Sequence, residues 1–225
     1  MVLENKKTIA IVGPNGVGKT SVAFELARRL KNGEVINLDK MYLFKHFPIS
    51  SGLSDTLKEG GVKRHFYELL EPEEDIIPPV KYAEMVMNKC SEIINNRGVP
   101  IIEGGSTTYF PSFYELNQHE KFCKTIIGLK SPPHFDIEKK IAQRIEAAVV
   151  EGLLEEVERN LKKYRHTLMM EDAHFVVPLV SYLDKKIDLD AAKKQIVGRC
   201  LQYANQQIKL FERYPNIEWF EYEVK

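Results

Sequence analysis

The eight residues GPNGVGKT, 13 to 20, constrain this chain more than any others. They satisfy the pattern G-x-x-x-x-G-K-[ST], with IAIV (9–12) before them and SVAFELARRL (21–30) after. IAIV is short, apolar and largely β-branched, and it ends at a glycine, which reads as a buried strand. In the next segment Val22, Leu26 and Leu30 recur at helical spacing, and Asn32-Gly33 supplies a stop. A strand, a glycine-rich turn and a helix in that order aim successive backbone N–H groups at one anion, beside the positive end of the helix. Lys19 adds a mobile positive charge, and the Thr20 hydroxyl is able to ligate Mg²⁺. The motif predicts a phosphate site but not the compound that carries the phosphate.

Further strand-to-loop junctions follow. VINLD (35–39) reads as a buried strand with a carboxylate at its carboxyl end, and VPIIEGGSTTY (99–109) as another that runs into Glu103-Gly104-Gly105. KTIIGL (124–129) and IEWFEYEV (217–224) are further strand candidates. Between them KYAEMVMNKCSEIINNRG (81–98) carries Tyr82, Met85, Val86, Ile93 and Ile94 on roughly one helical face. Strands alternating with helices predict an α/β fold, a P-loop NTPase-like parallel sheet flanked by helices. Ligands of such sheets bind beyond the carboxyl ends of the strands, so Gly13–Thr20, Asp39 and Glu103–Ser106 should converge.

The stretch from about 135 to 212 reads as mostly helical. In EGLLEEVERNLKKY (151–164) Leu153, Val157 and Leu161 mark one face, while Glu155–Arg159 and Glu158–Lys162 make a solvated one. The expected organisation is a single domain over 1–225. Its core is about 1–130 plus a final strand at 217–224, and a helical lid occupies about 135–212.

Composition closes off several classes. Lys plus Arg equals Asp plus Glu, at 32 each, so no global field draws in a polyanion, which speaks against a nucleic-acid partner. Cys90, Cys123 and Cys200 lie far apart without a CxxC pair, which speaks against a disulfide framework or zinc site and for a reducing compartment. The N-terminus passes directly into a strand, and no apolar run is long enough to span a bilayer. The expected location is the cytoplasm, with no membrane partner. His46, His65, His119, His134, His166 and His174 show no metal-ligand spacing.

Asp39 reads either as a helix cap or turn former, or as a magnesium ligand or general base facing the phosphate loop. Glu103 reads as a carboxylate that holds metal-bound water or that anchors the glycine loop. The aromatics Phe44, Phe47, Tyr109, Phe110, Phe113 and Tyr114 cluster after the two junctions, as core or as the wall of an apolar pocket.

Taken together, these segments resemble the isopentenyltransferases, which attach a dimethylallyl group to the N6 amine of adenine. GPNGVGKT looks like that family's phosphate loop, VINLDK like its strand ending in the catalytic Asp, and PIIEGGSTTYF like its Gly-Gly-Ser/Thr loop. RIEAAVVEGLLEEVE (144–158) and YANQQIKLFERYP (203–215) are similar to two of its helical stretches. Within the family the chain looks most like short bacterial adenylate dimethylallyltransferases of cytokinin biosynthesis. The tRNA-modifying enzymes are longer and carry an extra helical insertion.

The resemblance implies a mechanism. Dimethylallyl diphosphate would lie in the loop on Gly13, Asn15, Gly16, Val17, Gly18, Lys19 and Thr20, with Arg144 and Tyr203 closing on it from the lid. Mg²⁺ on Thr20 is the implied cofactor, and Lys19 would stabilise the leaving charge. Asp39 would take the proton from N6 of an adenine nucleotide, AMP or else ADP or ATP, held by Ser50, Ser51, Gly52, Ser54, Gly105, Ser106 and Asp172. The chain departs from the pattern at three places. Asn15 stands for Thr, Asp172-Ala173-His174-Phe175 stands for Asp-Gly-Tyr-Arg, and Asn205, Gln206 and Ile208 stand where basic residues are usual. Gln206 also replaces a histidine found in relatives that use a hydroxylated donor, which points to plain dimethylallyl diphosphate. The alternatives are an ATP-dependent small-molecule kinase, a tRNA adenosine dimethylallyltransferase and a non-catalytic binding protein. The kinase would need an arginine cluster, and the 130–170 segment offers Arg144, Arg159 and Arg165.

Overall fold

IAIV forms strand β1 (Ile9–Val12), whose Ala10, Ile11 and Val12 are fully buried in the computed structural model, which describes residues 8–53, 60–120 and 122–223. Helix α1 (Lys19–Arg29) returns the chain to β2 (Gly33–Asn37), and α2 (Pro48–Ser51) precedes a short strand β3 (Lys63–His65). Then come α3 (Pro79–Asn95), β4 (Val99–Glu103), α4 (Phe110–Glu120) and β5 (Thr125–Lys130). A helical run follows as α5 (Ile137–Glu151), α6 (Leu153–Tyr164), α7 (Leu168–Asp172), α8 (Val176–Leu183) and α9 (Leu189–Phe211), before β6 (Ile217–Glu221).

The strands form one parallel sheet in the order β3-β2-β4-β1-β5-β6. Its register sets the site. Glu103 pairs with Ile11 on one side and with Asn37 on the other, so the carboxyl ends of β1, β2 and β4 finish side by side. β1 lies between β4 and β5; its connection runs toward β2 on one side while that of its neighbour β5 runs toward β6 on the other, which opens a crevice above the ends of these strands. The expected α/β sheet flanked by helices is present.

Two apolar clusters cover the sheet. The smaller packs Val17, Phe24 and Ala27 against Ile11, Val35 and Ile101. The larger takes in α3, α4 and the helical run, so the segment read as a lid shares its core with the sheet. Phe211 of α9 is fully buried and meets Phe110 edge-on at 4.9 Å between ring centroids. Truncating such a side chain to alanine costs about 3–5 kcal/mol. Phe44, Phe47, Tyr109, Phe110, Phe113 and Tyr114 all belong to this core, so of the two readings of these aromatics the structure shows packing.

The stretch 144–158, read as one helical unit, is two helices. Gly152 at φ 111° caps α5 and turns the chain into α6. Leu153, Val157 and Leu161 face inward as the spacing requires. β3, with sequence KRH, gave no strand signal because its pairing with β2 at the sheet edge demands no apolar run. All three cysteines are buried and free, and among the described residues no helix is long and apolar enough to cross a membrane.

Candidate active site

Helix α1 begins at Lys19 with Gly18 as its N-cap, in a left-handed conformation (φ 85°) and with no side chain to cap the first turn. The leading N–H groups of α1 are thereby left for a ligand, and the helix dipole favours an anion there. Lys19 is 9% exposed, and its Nζ donates to the Pro14 carbonyl at 2.9 Å. Burial lowers its pKa, while the carboxylates of Asp39 and Glu103 oppose that shift. The loop therefore holds a desolvated cation with two carboxylates close by.

Asp39 follows the end of β2. Asn37 fixes it, accepting the Asp39 N–H at 2.6 Å and donating its Nδ2 to the Asp39 carbonyl at 2.9 Å. The Asp39 Oδ1 accepts the Met41 N–H at 2.9 Å. The cap-like geometry and the placement in the cavity wall thus hold together. Glu103, 1% exposed at the end of β4, accepts the Thr20 hydroxyl at 3.0 Å and the Tyr67 hydroxyl at 2.8 Å. Burial pushes its pKa up to about 6, against the lowering effects of Tyr67 and Lys19.

A cavity of about 720 Å³ lies above these strand ends. Its wall includes Asn15, Gly16, Gly18, Lys19 and Thr20 from the loop, Asp39 and Lys40 from the β2 junction, and Ser50, Ser51 and Gly52 from α2. The helical run contributes Arg144, Asp172, His174, Tyr203 and Gln206. Glu156 of α6 holds α2 in place, its two carboxylate oxygens each accepting a backbone N–H, from Ile49 and Ser50, at 2.9 Å. Arg144 lies over the Phe175 ring at 5.4 Å and packs so close to Gly52 that a Cβ there would fall 1.5 Å from its Nη2. Lys40 pairs with Asp172 at 3.0 Å, joining the sheet side to the helical side. Burial lowers the pKa of His174, whose ring sits 4.8 Å from that of Tyr203.

Most of the residues singled out from sequence therefore meet in one wall. Gly13, Val17, Gly105 and Ser106 do not line it. Val17 packs with Phe24, and the Ser106 Oγ accepts the Thr108 and Tyr109 N–H groups at 3.2 Å. Ser54 lies outside the described residues. Of the arginines a kinase reading would recruit, only Arg144 reaches the cavity, and Arg165 pairs with Asp184 at 3.6 Å instead. Sequence reasoning missed Tyr42, Tyr67, Glu156 and Gln207, which no local pattern marks.

A metal fits this chemistry in one form. Among the described residues no group of three His, Cys, Asp or Glu side chains is arranged to hold an ion. The Thr20 hydroxyl against the buried Glu103 carboxylate suits an oxygen-loving Mg²⁺ that keeps its waters and leans on a substrate's phosphates.

The model of the family "IPP transferase" matches residues 110–214. The tRNA dimethylallyltransferase of Alkaliphilus oremlandii is 21% identical, and the alignment covers 96% of this chain and 91% of that protein. The Bacillus subtilis protein of the same name is 24% identical over 95% and 90%. The first alignment spans 288 positions, more than the 225 residues here, so that relative carries sequence this chain lacks. An adenylate isopentenyltransferase of Arabidopsis thaliana, 31% identical, aligns with 46% of this chain. Among solved structures, the full-length tRNA isopentenylpyrophosphate transferase of Bacillus halodurans superposes with a TM-score of 0.79 at 21% identity, covering 96% of this chain and 90% of that one. The Staphylococcus epidermidis counterpart gives 0.82 at 19%, covering 95% and 92%. The fold is shared with these proteins, and the likeness is to the IPP transferase family.

Two expectations need correction. The balanced charge spoke against a nucleic-acid partner and for free adenine nucleotides, yet the relatives matched along nearly the whole chain are named for tRNA. Net charge averages over the whole surface and says little about a local contact face. The closer likeness to bacterial cytokinin-forming enzymes is not supported either, because the adenylate enzyme matches over less than half the chain.

Proposed function

We propose that this relative of the IPP transferases moves a dimethylallyl group from dimethylallyl diphosphate to the N6 amine of an adenine in tRNA. The observation that carries the reading is the cavity in which the anion-binding loop and Asp39 share one wall, under a helical wall bearing Arg144 and Tyr203. The acceptor is taken from the relatives, whose names specify tRNA.

In this reading the diphosphate lies on the N–H groups opening α1, and Lys19 and Arg144 balance its charge. Mg²⁺, which the Thr20 hydroxyl and the Glu103 carboxylate would hold, would supply further charge neutralisation to the leaving group. Asp39 accepts a hydrogen bond from the N6 amine, which aligns the nitrogen with the allylic carbon. The new N6–C bond forms as the C–O bond to diphosphate breaks, and the N6 proton passes to Asp39. An aromatic amine is a weak nucleophile, so alignment contributes much of the rate. The helical wall limits water, which would otherwise capture the carbon as it gains positive charge.

The test uses the whole chain with Mg²⁺, dimethylallyl diphosphate and an unmodified tRNA transcript, digested to nucleosides for mass spectrometry. The expected product is adenosine heavier by five carbons, made by the unaltered protein and not by Asp39→Ala. Formation of ADP from ATP with a hydroxylated acceptor, and no prenylated adenosine, would replace this reading with a kinase.

A further inference from the structure

Gln207 stands behind the cavity wall and does not line it. It lies on α9 one turn after Tyr203, is fully buried, and carries a polar side chain with both ends in use. Its Oε1 accepts the Asn15 N–H of the phosphate loop at 2.8 Å, and its Nε2 donates to the Gly105 carbonyl at 2.7 Å. The two loops it joins end different strands, β1 and β4, and their fit is tight. A Cβ on Gly105 would fall 2.5 Å from the Gln207 Nε2, 2.6 Å from the Gly13 carbonyl oxygen and 3.2 Å from the Lys19 Nζ. Tyr203, on the same face of the helix, receives the Thr107 N–H at 3.5 Å, further along the second loop.

We infer that Gln207 is a positioning residue for the donor's diphosphate, fixing the phosphate loop through Asn15 and registering it against the Gly104–Gly105 turn and α9. A loop that binds an anion through backbone N–H groups needs those groups held convergent before the ligand arrives. In this loop Asn15 spends its N–H on Gln207, not on the anion. The side chain of Lys19 meanwhile reaches back to Pro14, so the loop has a defined shape of its own. A buried amide with both ends satisfied does this at little cost, whereas an apolar side chain there would orphan the Asn15 N–H and the Gly105 carbonyl. α9 thus carries Tyr203 for the ligand and Gln207 for the loop, one turn apart.

This inference rests on the reading that a diphosphate occupies the loop, and its test separates the two. Binding of inorganic pyrophosphate with Mg²⁺ is measured by calorimetry on the unaltered protein, Gln207→Met and Gln207→Glu, alongside urea unfolding. Methionine keeps the length and loses both hydrogen bonds. Pyrophosphate affinity should fall roughly tenfold or more, since each lost bond weighs about threefold to tenfold. The donor KM should rise in step while the acceptor KM moves less than about twofold. Glutamate keeps an acceptor for Asn15 but sets a carboxylate against the Gly105 carbonyl and the anion, so its loss should exceed that of methionine. A merely structural role would lower the urea midpoint and leave the affinity of the folded protein unchanged. Wild-type affinity in either folded variant overturns the inference alone. Failure of the unaltered protein to bind pyrophosphate overturns both it and the reading of the loop.

Discussion

Glu103 spends its carboxylate on the Thr20 and Tyr67 hydroxyls in a site with almost no exposure. Its pKa rises from 4.5 to about 6 because burial outweighs those bonds and the nearby Lys19. The folded state thus holds this proton more tightly than the unfolded chain does. Glu103's favourable contribution is present in full below pH 4.5 and is lost as the pH climbs through about 6, a swing of roughly 2 kcal/mol. Glu103→Gln does not titrate, so its urea stability relative to the unaltered protein should improve between those pH values and stay level above them. A constant difference across the range would contradict this account of the burial. Lys19 and Thr20 were legible in the sequence because the motif is local and its chemistry follows from its spacing, whereas Asp39 was marked only by its place at the carboxyl end of a strand. Gln207 was not, since its partner Asn15 lies 192 positions away and a glutamine on a helix carries no signal of its own.

Among the elements, α2 has four residues and cannot hold itself together. Its N-terminus is capped from outside by Glu156 of α6, and its C-cap is Gly52 at φ 82° beneath Arg144. The resemblance marked Ser50, Ser51 and Gly52, but the carboxylate that holds them was hidden among the charges of 151–164, which read as a solvated face. Gly52→Ala would strain the left-handed backbone by about 1–2 kcal/mol and push Arg144 off its position. For a chain of this size the melting temperature should drop by roughly 2–8 °C. Pyrophosphate affinity should fall in the same variant, because Arg144 is displaced from its place in the cavity wall. Unchanged affinity would mean that Arg144 does not serve the diphosphate. The short strand β3 was missed for a related reason: edge pairing with β2 is tertiary information, and KRH has no apolar pattern to report it.

The whole molecule follows from the alternation of apolar runs and helices, which dictated the parallel sheet and with it the meeting of three strand ends. What the alternation could not convey is how the helical run closes over those ends, and so which side chains of 135–212 turn inward to the cavity. Nor could it identify the acceptor, because a balanced total charge does not report on one face of the surface. The proposed activity of this cavity is prenylation of adenine within RNA. The most direct measurement offers the protein dimethylallyl diphosphate, Mg²⁺ and equal concentrations of AMP and an unmodified tRNA transcript in one tube. Mass spectrometry of the separated pools should find the five-carbon gain on adenosine from the RNA. A gain confined to AMP, or no gain on either, would contradict the claim.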